Sequence, residues 1–175
     1  CAIKSRSAAR LKLPASTINL SVELMPSKTA EEAANSFARL VEARKPTLVV
    51  WQTGTVDAIR SIDPDDFRSA VDEGIVALQK AGVDVVLVNP QYSPRTDTMT
   101  STTPYLDNLR VAAQQHDVPL FDRFAVMQHW SDSGDFDLFS AARGNDLAKK
   151  VHACLGLALS KFVIDAAHLG PSQQN

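Results

Sequence analysis

The chain has 175 residues, enough for one domain with a real hydrophobic core. Hydrophobic residues make up 45% and charged residues 22%, and the net charge of -2 leaves no footprint for nucleic acid or an anionic membrane. No apolar run reaches the roughly 18–20 residues of a membrane span, and no repeat or low-complexity segment stands out.

Residues 2–13 interleave Ile3, Ala8, Ala9, Leu11 and Leu13 with Lys4, Arg6, Arg10 and Lys12, the tail of an amphipathic helix stopped by Pro14. A helix at the start of such a chain implies a strand ahead of it. Residues 18–22 read as a short strand. Thr29 with Glu32 forms a capping-box pattern, and Ala33, Phe37, Leu40 and Val41 share one helical face up to Pro46. Residues 48–52 form a buried strand that empties into Thr53-Gly54-Thr55-Val56-Asp57. Asp63-Pro64 pairs an N-cap with proline at the first helical position, Phe67, Val71 and Leu78 carry the apolar face, and Gly82 closes the helix.

Residues 83–88 are the next buried strand, ended by Asn89-Pro90. The Pro-, Ser- and Thr-rich loop over 89–102 has the length of a functional loop, with Tyr92 and Arg95 placed to line a groove. Thr103-Pro104 opens another helix, with Leu106, Leu109 and Ala113 inward. Residues 119–121 make a short strand, 124–130 a short helix and 131–135 a polar turn. Asn145 or Asp146 caps a final helix whose face carries Leu147, Val151, Leu155, Leu159 and Phe162. The alternation predicts a parallel sheet covered on both faces, a three-layer α/β/α sandwich. A single domain over residues 1–170 and a frayed tail over 171–175 are expected.

The two cysteines, Cys1 and Cys154, suit no metal site and make little case for a disulfide; Cys154 reads as a small core residue of the final helix. The first residue is Cys1 and not Met, and a fragment boundary is preferred to a processed lipoprotein start. No signal peptide is visible.

Ligands of open α/β sheets collect at the carboxyl ends of the strands, which directs attention to Gly54. There, Trp51-Gln52-Thr53-Gly54-Thr55-Val56-Asp57 resembles the third conserved block of SGNH/GDSL-type hydrolases, usually Gly-x-Asn-Asp. The order of elements is similar to that family from about Ile18 to Ala167. The resemblance implies the flavodoxin-like SGNH fold with five parallel strands. Four are legible here and the first is expected upstream of Cys1, which would make the chain a degenerate or N-terminally truncated member. It also implies hydrolysis of a carboxylic ester, an acetyl or other O-acyl group, through a serine acyl-enzyme. No cofactor is implied, and the partner is a small-molecule or carbohydrate ester, without nucleic acid or a membrane span. Many members are exported, which points to a periplasmic or secreted location; the oligomeric state stays open.

The family's Gly-Asp-Ser-like nucleophile block is not in this chain. Asp132-Ser133 follows Ser131 instead of glycine and comes late. The serine is therefore expected upstream, and the 175-residue chain by itself is expected to be inactive on esters. In the second block Asn19-Leu20-Ser21 matches the start, but Leu24 or Lys28 stands where a glycine is expected. In the third, Val56 replaces the asparagine whose amide donates to the oxyanion, and loss of such a donor costs roughly 2.7–4 kcal/mol. Gln52 or Thr53 are the possible substitutes. Gly54, Thr55 and Asp57, with Tyr92, form the expected oxyanion or substrate edge. The plainer reading of Gly54 and Asp57 is a tight turn and a cap.

The last block, Asp-x-x-His, has two placements. Asp137-Leu138-Phe139-Ser140 keeps the acid, and Lys149-Lys150-Val151-His152 keeps the histidine. The run His152-Ala153-Cys154-Leu155-Gly156 is similar to the segment that begins at the family's catalytic histidine, so His152 is the expected base with Asp146 as its acid. The plainer reading of His152 is an ordinary helix residue. His116 and His129 read as surface or helix-edge residues and His168 as tail, and no spacing suggests a metal site. The rival to an esterase is a catalytically inactive SGNH-fold binding or accessory protein. A nucleotide-binding domain is disfavoured because no Gly-rich phosphate loop is present.

Overall fold

The computed structural model describes residues 18–94, 100–138 and 145–168. The expected helix over 2–13, Arg95, Phe139 and Ser140 lie outside the described residues. Three parallel strands form one sheet in the order β1 (Leu48–Gln52), β2 (Asp84–Val88), β3 (Leu120–Phe121). Leu48 sits opposite Asp84 and Gln52 opposite Val88, while Leu87 and Val88 pair with Leu120 and Phe121. The helices are α1 (Ala30–Ala34), α2 (Phe37–Arg44), α3 (Thr55–Ile59), α4 (Pro64–Lys80), α5 (Thr103–Gln115), α6 (Arg123–Asp132) and α7 (Asn145–His168).

Successive strand side chains point to opposite faces, so β2 and β3 contribute to two cores, while β1 contributes to the first. On one face Trp51, Val85 and Leu87 pack with Phe37 of α2, with Phe67, Val71, Ile75 and Leu78 of α4, and with Leu109 of α5. On the other, Val88 and Phe121 pack with Met127 and Trp130 of α6 and Val151 and Leu155 of α7. Helices thus cover both faces of a parallel sheet, the α/β sandwich expected from the alternation.

The caps behave as the residue types dictate. Thr29 and Glu32 form a reciprocal capping box, with the Glu32 amide on Thr29 Oγ1 at 3.3 Å and the Thr29 amide on Glu32 Oε2 at 3.0 Å. Asp63 Oδ1 accepts from the Asp65 amide at 2.8 Å, at the head of α4. The face of Ala33, Phe37, Leu40 and Val41 is split between α1 and α2. Ser36 Oγ donates back to the Ala33 carbonyl at 2.6 Å, a local bond that competes with continuing the helix. At the centre of the packing, Trp51 meets Phe37 edge-on with centroids 4.8 Å apart, and it lies over Gly74 of α4.

Two expectations are corrected. Residues 18–22 do not form a strand, and the described residues contain three strands instead of four. Ile18 and Leu20 are 80% and 85% exposed. An alternating pattern becomes a strand only when a neighbouring backbone completes its ladder, and β1 has only β2 as partner among the described residues. Cys154 is half-buried against the second core as expected, but it is disulfide-bonded. Spacing along the chain carries no information about such pairing.

Candidate functional site

The parallel register brings three strand exits together: Gln52-Thr53-Gly54 after β1, Asn89-Pro90 after β2 and Asp122-Arg123 after β3. The Thr53 amide donates to the Val88 carbonyl at 3.2 Å, extending the ladder one step past β1. Gly54 then turns the chain with φ +94°, and a Cβ there would lie 3.1 Å from Pro90 Cγ. Both the positive φ and the close approach of Pro90 call for glycine. The turn opens α3 and carries Asp57 into the interior, where it is 1% exposed. Asp57 Oδ1 accepts from the Ala30 amide at 2.9 Å, tying α3 to the first turn of α1. Its Oδ2 is buried with no hydrogen-bond partner in the structure.

Burial pushes the Asp57 carboxyl above its ordinary range, against the opposing pull of the Ala30 amide. In the window between the ordinary and the raised value, the folded chain holds a proton that the unfolded chain releases. Stability therefore falls as pH rises through that window. Asp57→Asn keeps an acceptor for the Ala30 amide and carries no charge. Its thermal midpoint minus that of the wild type is expected to rise as pH goes from 3 to 7, whereas a difference that falls over that range would refute the assignment.

A second network links the other two exits. Asn89 is fully buried, donates from Nδ2 to Asp122 Oδ1 at 2.7 Å and accepts the Phe124 amide on Oδ1 at 2.9 Å. Its carbonyl takes Arg123 Nε at 3.2 Å. Arg123 is 9% exposed, and its Nη1 donates to Gln52 Oε1 at 3.0 Å, so the guanidinium bridges all three exits. Burial pulls the Arg123 pKa down to about 10, and no carboxylate among the described residues forms an ion pair with it. Asp122 caps α6 through the Ala125 amide at 3.0 Å. Burial would raise the Asp122 carboxyl, but hydrogen bonds from the Ala125 amide, Asn89 and Arg110 together hold it below the usual range.

Gly54, Thr55 and Asp57 thus sit at the β1 exit. Tyr92, half-buried after β2, meets Phe124 edge-on at 5.2 Å, next to the exit of β3. Beside α3 opens a cleft of about 440 Å³, lined by Ala58, Ile62, Asp63, Ser101 and Tyr105 among others. His152 and Asp146 are not brought together. Both are exposed on α7, where six positions along one helix separate them onto different faces. Asp146 lies 3.9 Å from Lys149, and no hydrogen bond joins His152 to an acid among the described residues. His116, read as a surface or helix-edge residue, holds Asp72 Oδ1 through Nε2 at 3.0 Å. The described residues contain no group of His, Cys, Asp or Glu able to hold a metal, and no described helix is long and apolar enough to cross a membrane.

Sequence reasoning passed over Asn89, Asp122 and Arg123 as site residues. The signal was there: each is a polar residue just past a buried strand, the place where such sheets bind ligands.

Comparison with known proteins fits this geometry. The model of the non-GDSL lipase-like family matches residues 4–169. Among solved structures, the psychrotrophic esterase EstA from Pseudoalteromonas sp. superposes with a TM-score of 0.60 at 16% identity, covering 81% of this chain and 74% of that one. TesA and a G-D-S-L family lipolytic protein, described as putative, from Desulfitobacterium hafniense DCB-2 are each 20% identical with a TM-score of 0.48. They are covered over 53% and 55% of this chain and 51% and 54% of theirs, so the chain spans about half their length. No curated protein sequence matches it significantly. The likeness to EstA shows the fold, and the family match extends over nearly the whole chain: the protein belongs to the non-GDSL lipase-like family.

Proposed function

We propose that the protein is an ester hydrolase that cleaves a carboxylic ester or O-acyl group through a serine acyl-enzyme, its nucleophile block being supplied from outside these 175 residues. The observation that carries this reading is the Gly54 turn at the β1 exit, which buries Asp57 beside the edge where three strand ends meet. Such an edge can hold an ester carbonyl against a nucleophile delivered from a neighbouring strand end. The substrate class is a small-molecule ester, carbohydrate esters included. His152 serves as the proposed base. The rival reading, an inactive binding protein on the same fold, draws support from Val56, which offers no donor, and from the separation of His152 and Asp146.

EstA is described as inhibited by monoethylphosphonate, so a phosphonate probe suits the test. Fluorophosphonate treatment of the longest native chain, followed by mass spectrometry, is expected to label one serine, and His152→Ala is expected to abolish the label. The 175-residue chain alone is expected to stay unlabelled and to leave p-nitrophenyl acetate intact. A folded native chain that takes no label would transfer support to the binding-protein reading.

A further inference from the structure

We infer that Gln52 supplies the oxyanion donor that Val56 lacks, and that Arg123 holds the Gln52 amide in the donating orientation. This inference rests on the ester-hydrolase reading above. It starts from position. Gln52 is the last residue of β1, two places before Gly54, and it is exposed at the same sheet edge. A donor here faces the shared edge without help from the α3 turn that carries Val56.

Orientation comes from the chemistry of the partner. A guanidinium has five N–H donors and no acceptor, so the Gln52 atom lying 3.0 Å from Arg123 Nη1 is the amide oxygen. The amide nitrogen is then turned away from Arg123. Among the described residues no hydrogen bond uses either of its N–H groups, and both are directed from an exposed side chain. A glutamine on a surface normally samples many rotamers. This one is pinned by a cation that is itself fixed: Arg123 is 9% exposed and its Nε is anchored on the carbonyl of the fully buried Asn89. Donors that need no reorganisation as charge develops are the ones that lower a barrier.

Charge balance points the same way. Among the described residues no carboxylate forms an ion pair with Arg123, and a buried guanidinium without such a partner is costly. Negative charge developing on an ester oxygen at the Gln52 amide would interact favourably with that cation through the polarised amide. The Arg123–Gln52 hydrogen bond draws electron density toward the amide oxygen and strengthens its N–H donors. The same arrangement gives the ground-state ester less, because its carbonyl oxygen carries little charge. Arg123 is accordingly a positioning residue, and Gln52 the group that meets the reacting oxygen.

The test measures p-nitrophenyl acetate turnover by the longest native chain. Gln52→Leu removes the donor. Gln52→Glu keeps the contact to Arg123 but replaces the donor with a carboxylate. Each is expected to lower kcat by about 10²–10³-fold with KM moved less than about threefold. Arg123→Met should lower kcat in the same way, and the double variant Gln52→Leu/Arg123→Met should be no slower than Gln52→Leu alone, since both changes remove one function. A purely structural Arg123 would instead give losses that multiply. Should Arg123→Met fail to fold, Gln52→Glu decides, because it leaves the buried cation paired. A wild-type chain that turns over ester while Gln52→Leu and Gln52→Glu stay within threefold of it overturns this inference alone. A wild-type chain with neither turnover nor fluorophosphonate label overturns the ester-hydrolase reading and this inference with it.

Discussion

Trp51→Ala is expected to destabilise the fold by about 3–5 kcal/mol, the ordinary cost of removing a large aromatic from a packed core. The indole is 5% exposed, meets Phe37 edge-on and fills the space where Gly74 has no side chain. A Cβ on Gly74 would lie 2.7 Å from both Cη2 and Cζ3 of Trp51 and 3.2 Å from Ala34 Cβ. Gly74→Ala in the wild-type background should therefore lose about 1–3 kcal/mol to overpacking. That outweighs the roughly 1 kcal/mol that alanine gains over glycine within a helix. In the Trp51→Ala background the indole clash is gone, only the milder 3.2 Å approach to Ala34 Cβ is left, and Gly74→Ala should become stabilising. Urea unfolding of the four proteins reads this directly: a reversal of sign supports the contact, and simple additivity would refute it.

The second large effect is expected at Asn89. Asn89→Leu preserves volume but strands the Phe124 amide, at roughly 1–3 kcal/mol, and takes one of two donors from Asp122 Oδ1, which keeps the Ala125 amide. Asn89→Asp keeps the acceptor for the Phe124 amide and sets a second carboxylate against Asp122. Its deficit should shrink at low pH, where one of the two carboxyls takes a proton. Denaturant titrations at neutral and acidic pH separate the variants. A loss under about 1 kcal/mol for Asn89→Leu would mean that the Phe124 amide finds a substitute.

Much of the fold was legible wherever local chemistry and tertiary packing ask for the same thing. Asp63-Pro64 and Gly82 bracket α4 because a cap, a proline and a left-handed glycine act within a few residues of themselves. The apolar run of β2 matches the two buried faces of the sheet, whereas in β1, read as a buried strand, only Trp51 is buried and Val50 is 43% exposed. Residues 18–22 misled because alternation is a property of one segment, whereas a ladder belongs to two. The α1–α2 break depends on one serine hydroxyl, and α3 is too short to show a period.

The site divides along the same line. Gly54 and Asp57 could be found because a single turn carries both, and Tyr92 because it stands alone in a long loop. Gln52 was named from its place beside the Gly54 turn, and Asn89, Asp122 and Arg123 each stand just past a strand, but that these four form one network follows only from the strand register. His152 and Asp146 were paired by likeness to a motif, but the helix that carries them turns them apart.

Among the described residues, the two cores on opposite faces of the sheet meet across short strands, and they are unequal. The face covered by α1, α2, α4 and α5 holds most of the fully buried side chains, while α6 and α7 rest on the smaller cluster around Val88 and Phe121. Loss of order therefore need not be all-or-none. The α6–α7 layer can open as a sub-global unit while the opposite layer stays intact, and a single midpoint of unfolding would then average over two cooperative units.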